Sequence, residues 1–332
     1  MRWIIYGAGA VGGVVGARLQ LSGQDVTFIA RGAHAEAMKR SGLRLDDPVE
    51  SVNLAADVVT DPAQAGIGEG DVVLLAMKSQ DTRAALEKLE RSAPSATSVV
   101  CLQNGVENER EALRRFPNVY AVCVMLPTTH LEPGVVEAYS TPVPGILDTG
   151  RYPAGADDTA RNVASGFSGA GFVSEARPDI MRWKHAKLLM NLGNALEALC
   201  GSTARLGPIA ARLREEGEAC LRAAGIDFVS TEEDAARRGD LIQIRPIDGR
   251  RRGGGSTWQS FQRGTGSIET DYLNGEIVLL GRRHGVPTPA NELLQRLAHQ
   301  AVAQSRAPGS MSIEELEHLL EKTQLSAEPG GS

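Results

Sequence analysis

The sequence predicts an α/β protein: a doubly wound parallel sheet at the N-terminus, followed by an all-helical C-terminal domain. Three observations point there. Short apolar runs alternate with helical stretches over roughly the first 125 residues, the pattern of a parallel sheet with crossover helices. Apolar residues recur at helical spacing from Ile180 onward. A length of 332 residues suits two domains at about 150 residues each.

The elements follow in order. Residues 2–6 read as a buried strand that runs straight into Gly7-Ala8-Gly9-Ala10-Val11-Gly12-Gly13. Val11, Val14, Val15, Leu19 and Leu21 then give residues 10–21 a helical pattern. Val26–Ile29 is a second strand. Val72–Ala76 is a third, introduced by the turn residues Gly70 and Asp71, and residues 81–92 are helical. Ser98–Leu102 and Val119–Cys123 supply a fourth and a fifth strand. From 124 to 176 the chain is richer in Pro, Gly and Thr, with short β-like pieces such as Val135-Val136-Glu137-Ala138. The texture changes at Arg177-Pro178-Asp179, where we place the boundary: one domain over 1–177 and a helical one over 178–325. Helical spacing extends to about 225 and recurs at 267–284 and 290–304. Arg250–Gly255 reads as a flexible loop. Ser312 and Glu315 form a capping box for a last helix ending near Lys322. Its Ile313, Leu316, Leu319 and Leu320 should dock on the same subunit or across a homodimer, and 326–332 reads as a disordered tail.

Composition excludes several classes. With 42% hydrophobic and 23% charged residues the chain has the make-up of a folded globular protein. A net charge of −6 argues against nucleic acid as a partner, because phosphate neutralisation needs a positive field. No apolar run approaches the ~20 residues of a membrane span, and no secretory signal opens the chain, so a cytoplasmic protein without a membrane partner is expected. Cys101, Cys123, Cys200 and Cys220 form no C-x-x-C pair and read as reduced thiols; neither they nor the six histidines show metal-ligand spacing, so no metal is expected.

Chemistry concentrates in a few stretches. Between a strand and a helix, G-x-G-x-x-G is a dinucleotide fingerprint, which makes the sheet Rossmann-type: Gly7 for the tight turn, Gly9 for close approach of the pyrophosphate, Gly12 for helix–strand packing. After the second strand comes Phe28-Ile29-Ala30-Arg31-Gly32, with no acid for a ribose 2′-hydroxyl and an arginine suited to a 2′-phosphate, which favours NADPH. Lys78 and Gln103-Asn104-Gly105 follow the third and fourth strands, at the carboxyl ends where such sheets bind ligands; Asn-Gly also reads simply as a turn. At 100° per residue, Lys187, Asn191, Asn194 and Ala198 share one narrow helix face, either a cleft lining or a solvated stripe. Lysine is scarce: Lys39, Lys78, Lys88, Lys184, Lys187 and Lys322 are the only six, and unlike arginine a lysine can give up its proton. Lys184 lies on a different line of the same helix and should matter far less than Lys187. Glu269 falls in the first turn of a helix, where any carboxylate is favoured.

Taken in order, these stretches resemble the ketopantoate reductase (2-dehydropantoate 2-reductase) family over roughly residues 1–300: the glycine motif, Arg31, Lys78 with Gln80, Gln103-Asn104-Gly105, Trp183 with Lys187 and Asn191, and Glu269 with Asp271 and Asn274-Gly275. The resemblance implies NADPH-dependent reduction of a 2-oxo acid, ketopantoate to pantoate, in a cleft between a Rossmann and a helical domain. It implies that Gly7, Ala8, Gly9, Ala10, Val11, Gly12, Arg31, Lys78, Asn104 and Glu269 serve the cofactor. Lys187 is then the catalytic acid, with Glu269 facing the nicotinamide end. Asn104, Lys187, Asn191, Asn194, Ser256 and Thr257 are the residues expected to hold substrate. Two departures bear on the substrate: Asn194 is three rather than four residues after Asn191, and Gly254-Gly255-Ser256-Thr257 stands where the family often has N-x-S-S. The alternatives are a reductase of another 2-oxo or 3-oxo acid and a non-catalytic NADP sensor, which would have no need of Lys187 or Glu269.

Overall fold

In the computed structural model, residues 1–201, 207–264, 266 and 268–325 are described, residues 324 and 325 by their backbone alone. The chain divides into two units, Met1–Lys187 with Phe228–Arg252, and Leu188–Asp227 with Gly253–Ser332.

The first unit opens with β1 (Trp3–Tyr6), α1 (Ala10–Leu21), β2 (Val26–Ile29), α2 (Gly32–Ser41), β3 (Leu43–Asp46), β4 (Ser51–Leu54) and β5 (Asp57–Val59). It continues with β6 (Val72–Leu75), α3 (Ser79–Glu90), β7 (Ser98–Cys101), α4 (Asn108–Leu113), β8 (Asn118–Met125), β9 (Thr128–Thr129), β10 (Val135–Ala138), β11 (Ser140–Pro142), β12 (Ile146–Arg151) and α5 (Asp158–Gly169). Seven strands form one sheet in the order β12-β8-β7-β6-β1-β2-β5. One face packs Val14, Val15 and Leu19 of α1 and Phe167 of α5; the other packs Leu86 and Leu89 of α3 and Ala112 of α4. Helices on both faces bury β1 and β6 completely, so these strands are unbroken apolar runs.

Two features differ from the sequence reading. The sheet is not wholly parallel, since β12 runs antiparallel to β8 through six residue pairs. A second sheet, β4-β3-β10-β9, lies outside the expectation apart from the Val135–Ala138 piece. Strand β4 alternates exposed and half-buried residues, and β5 is three residues long with none of them buried, so neither carries an apolar run to read.

The division between units falls at 187/188, ten residues beyond the expected boundary and inside α6 (Ile180–Asn191). Ile180, Trp183 and Ala186 of that helix pack on Ala121, Cys123 and Met125 of β8 and Ile146 of β12, which ties its first two turns to the sheet. The expected continuous helix is broken at Leu192-Gly193, where α7 (Asn194–Cys200) starts, and α8 (Gly207–Ala223) follows. The segment 228–252, expected within the helical domain, rejoins the first unit with α9 (Thr231–Arg238) and β13 (Ile242–Ile244). Strand β13 pairs antiparallel with β11, and Arg250 Nη1 donates to Glu137 Oε1 at 2.7 Å. The nearly buried Asp148 of β12 accepts from Arg177 Nε at 2.7 Å and from Arg237 Nε and Nη2 at 2.8 and 2.6 Å. Burial pushes the Asp148 carboxyl up, but the Arg237 and Arg177 hydrogen bonds outweigh it and hold the group below the usual carboxylate range.

The second unit adds α10 (Ser256–Arg263), α11 (Asn274–His284), α12 (Pro289–Ala303) and α13 (Ile313–Leu325). Glu216 caps α12 by accepting from the backbone N–H groups of Ala290 and Asn291 at 2.9 and 3.0 Å. Asn274 Nδ2 donates to the Leu192 carbonyl and to Asn291 Oδ1, both at 3.0 Å, so this asparagine holds helices together. The last helix docks on its own unit: the Gly309 and Met311 amides donate to the Ala198 and Leu199 carbonyls, and Leu316 and Leu320 are buried. Ser312 caps it by accepting from the Glu315 amide at 3.1 Å, and the helix runs three residues past Lys322. The tail 326–332 lies outside the described residues. Among the described residues no helix is long and apolar enough to cross a membrane.

Asp148→Ala deprives two largely buried guanidiniums of their buried carboxylate and leaves each with the more exposed Glu175. The expected cost is about 3 kcal/mol, the lower end for breaking a buried ionic cluster, read as a lower urea midpoint at unchanged slope.

Candidate active site

The glycine loop is built by close approach. Gly7 has φ +103°, and a Cβ there would sit 2.8 Å from the Met77 amide nitrogen, so the turn into α1 crosses the end of β6 without room for a side chain. A Cβ on Gly12 would overlap the Gly7 carbonyl oxygen and come within 2.7 Å of Ala76 Cβ. Gly9 faces open space. It is also the N-cap of α1, which has no side-chain cap and no acid in its first turn. The free N–H groups there are oriented for an anion, and the cradle fits a pyrophosphate held by Gly7, Ala8, Gly9, Ala10, Val11 and Gly12.

His34, which no sequence pattern marks, steadies this loop. Its Nδ1 accepts from the Gly134 amide at 2.9 Å, so the ring proton is on Nε2, 2.7 Å from the Ala8 carbonyl oxygen. Burial lowers the His34 pKa and keeps the ring neutral, against the Ala8 hydrogen bond, which raises it. The His130 ring stacks beside it at 4.2 Å.

Arg31 is the N-cap of α2 and is largely exposed. Its guanidinium lies 3.7 Å from Asp81, itself half exposed. Lys78 is the N-cap of α3, directly after β6. Asn104 sits after β7; its carbonyl accepts from Asn108 Nδ2 at 2.9 Å, and Gly105 takes φ +78°, so the Asn-Gly pair is a turn as well as a loop at the carboxyl edge.

Lys187 is half-buried at the end of the first unit. Burial lowers its pKa; Cys123 and Asp234 pull it back up, while Arg252 and Arg238 push it down further. Arg238 and Arg252 belong to the returning segment 228–252, so the Arg250–Gly255 stretch is not merely a loop: its Arg252 bears on the charge of Lys187. Lys184 lies on a different line of the helix from Lys187, but not in solvent. It is buried, donating to Glu109 Oε1 at 2.5 Å and to the Gln103 carbonyl at 2.9 Å.

In the second unit Asn191 is buried and Asn194 half-buried. Because α6 ends at Asn191 and α7 begins at Asn194, the two do not continue one ideal helix face; Gly193 interrupts it. Ser256 and Thr257 open α10, with the Thr257 hydroxyl buried and without a hydrogen-bond partner among the described residues. A Cβ on Gly254 would lie 2.5 Å from Trp258 Cγ, so the Trp258 ring occupies the space a residue such as asparagine would need there. Glu269 is buried as the N-cap of a short 3-10 turn, Thr270–Tyr272, that precedes α11, rather than in the first turn of the helix. Among the described residues no cluster of three His, Cys, Asp or Glu side chains is placed to hold a metal.

Comparison with known proteins matches this layout. A family described as Ketopantoate reductase PanE/ApbA covers residues 3–152, and its C-terminal counterpart covers 179–302. The 2-dehydropantoate 2-reductase of Pyrococcus horikoshii is 30% identical, over 90% of this chain and 96% of the relative. That of Mesorhizobium japonicum is also 30% identical, over 90% and 98%. A crystal structure of a PanE/ApbA family ketopantoate reductase from Ralstonia eutropha JMP134 superposes with TM-score 0.76 at 30% identity, over 92% of this chain and 99% of that one. D-mandelate dehydrogenase with NADH and anilino(oxo)acetate shares the fold at TM-score 0.78 and 23% identity, over 92% and 99%.

Two half-buried histidines set an acid limit. His34 is held neutral, and burial takes His185 down from 6.5 to about 4. Folded-state pKa values below the unfolded ones give a contribution that is complete above about pH 6.5 and is lost as pH falls through the folded values. The melting temperature should therefore decline as pH drops from 6.5 towards 4. His34→Gln and His185→Gln should each make that decline shallower; an unchanged slope in both would mean the rings are protonated in the native state.

Proposed function

Because the chain belongs to the ketopantoate reductase family, we propose that it reduces ketopantoate to pantoate with NADPH. Nicotinamide-dependent reduction of a 2-oxo acid comes with the family; the particular acid and the phosphorylated cofactor are the finer reading. The observation that carries it is Lys187, a half-buried amine with a lowered pKa that heads a K-x-x-x-N turn.

The glycine cradle would hold the pyrophosphate, Arg31 the 2′-phosphate, and Lys78, Asn104 and Glu269 the remainder of the dinucleotide towards its nicotinamide. Bound there, the reduced cofactor supplies a hydride to the ketone carbon. Lys187, as ammonium, donates a hydrogen bond to the ketone oxygen and passes its proton to that oxygen as charge develops on it. Asn191, one turn further along α6, would orient the same oxygen. Asn104, Asn194 and the hydroxyls of Ser256 and Thr257 would hold the carboxylate and hydroxyl groups of the substrate, and the buried Thr257 hydroxyl, which has no hydrogen-bond partner among the described residues, supports that role.

Magnitudes favour NADPH over NADH. An exposed pair such as Arg31–Asp81 is worth about 0–1 kcal/mol, so giving it up costs little. A charge-assisted contact with a 2′-phosphate contributes about 1.5–3 kcal/mol. A second reading, reduction of a different 2-oxo acid, is favoured by one observation: the Trp258 ring fills the place of the asparagine that the family often carries. NADPH oxidation assayed with ketopantoate, 2-oxoisovalerate and phenylglyoxylate decides between them.

Lys187→Ala should lower kcat by roughly 10²–10⁴ with NADPH affinity within a few-fold. In the unmodified enzyme kcat should fall as pH rises through the lowered lysine pKa, below the ordinary 10.5, because only the ammonium can donate. An alkaline limb retained unchanged in Lys187→Ala would assign the proton to another group. Arg31→Ala should raise the KM for NADPH about 10- to 100-fold and leave NADH nearly unaffected. Equal effects on the two cofactors would remove Arg31 from this role.

A further inference from the structure

Lys184, Glu109 and Gln103 take no part in the chemistry above, yet they carry the most costly burial near it. The Lys184 side chain is 3% exposed and that of Glu109 0%. Lys184 Nζ meets two acceptors, Glu109 Oε1 and the Gln103 carbonyl. Gln103 Nε2 donates in turn to the Met77 carbonyl at 2.9 Å and to Thr82 Oγ1 at 2.7 Å. Thr82 donates to Asn108 Oδ1 at 2.8 Å, and Asn108 Nδ2 donates to the Asn104 carbonyl and to Ser79 Oγ. This continuous set of bonds joins α6 to the segments following β6 and β7, which carry Lys78 and Asn104. Lys184 is three residues, less than one turn, before Lys187 on the same helix.

Fold stability alone does not account for such a pair. A buried ion pair gains little over an apolar pair of equal volume, because desolvation offsets the attraction. Glu109 is also poorly satisfied: its Oε2 is buried with no hydrogen-bond partner among the described residues. Burial raises the Glu109 pKa, and the attraction and hydrogen bond of Lys184 oppose that rise. An apolar pair could fill the same space, but it could not donate to the Gln103 carbonyl. An ammonium, with three donors and no acceptor, can serve a carboxylate and a carbonyl together.

We propose that the Lys184–Glu109 pair is a positioning device for the reduction: by clamping α6 to the Gln103 carbonyl it sets Lys187 against the Asn104 loop before either ligand arrives. Lys184 is thus a positioning residue, acting through Lys187 and Asn104. This rests on the reading of Lys187 as the proton donor.

The test compares three variants of the full-length protein: Lys184→Met, the double variant Lys184→Met/Glu109→Leu, and Glu109→Gln. Lys184→Met alone leaves a buried carboxylate unpaired and should melt well below wild type. The double variant removes both charges at similar volume and should regain most of that melting temperature. Its kcat should nevertheless stay 10- to 100-fold down, with the dissociation constant for NADPH within about three-fold of wild type. Glu109→Gln, which keeps an acceptor facing Lys184, should bring kcat back to within about five-fold. A double variant with wild-type kcat and KM would overturn the proposal, and so would one that does not fold, since the pair would then serve the fold itself. Equal losses in the double variant and Glu109→Gln would overturn it as well. All variants are assayed on the 2-oxo acid that wild type reduces fastest, so an error about ketopantoate leaves this comparison intact. If Lys187→Ala keeps wild-type kcat on that acid, the reading of Lys187 fails separately from the clamp.

Discussion

An ammonium taken out of water needs acceptors built to meet it, and one lies buried at the carboxyl edge of the large sheet. Lys184 can be buried because Glu109 and the Gln103 carbonyl converge on it. That convergence fixes where α6 runs over the strand ends. Apolar packing of Ile180, Trp183 and Ala186 alone would allow the helix to slide along β8, since it is non-directional. Hydrogen bonds to a buried charge do not allow that freedom, because a small shift leaves an acceptor unpaired in a dry place. The loops after β6 and β7 inherit the same constraint through Gln103, Thr82 and Asn108.

The glycine loop works by the opposite means. There the precision comes from removing side chains: Gly7 and Gly12 let backbone meet backbone and strand, and Gly9 leaves an open face. His34 adds a side-chain strut, from α2 to the Ala8 carbonyl. The cradle is therefore rigid on the protein side and open on the other, the condition under which a bound anion loses little to reorganisation.

Much of this was legible in the sequence, for physical reasons that also explain the omissions. Strands β1, β6 and β7 are covered on both faces and spell themselves as short apolar runs, Trp3-Ile4-Ile5-Tyr6, Val72-Val73-Leu74-Leu75 and Val99-Val100-Cys101. The glycine motif is legible because the turn at Gly7 and the close packing at Gly12 leave no room for a side chain. The burial of Lys184 was not, since a lysine in a helix defaults to solvent and its partner Glu109 lies 75 residues away. His34 finds Gly134 across 100 residues and leaves no local pattern. The face shared by Lys187, Asn191 and Asn194 was extrapolated through Gly193, where the helix stops. The placement of 228–252 was illegible because Arg237 looks like any surface helix arginine until Asp148 is seen to receive it.

That last segment bears on how the molecule can be made. The large sheet and the first two turns of α6 are all encoded by residue 187, yet the unit they belong to is completed only by residues 228–252. During synthesis the ribosome must therefore release the intervening stretch, which belongs to the second unit, before β11 meets β13 and Asp148 meets Arg237. Until then Asp148 has Arg177 and the Glu175 amide but not Arg237, and Glu137 lacks Arg250. The two units cannot mature as successive beads on the nascent chain; the earlier one closes only after part of the later one has been threaded out.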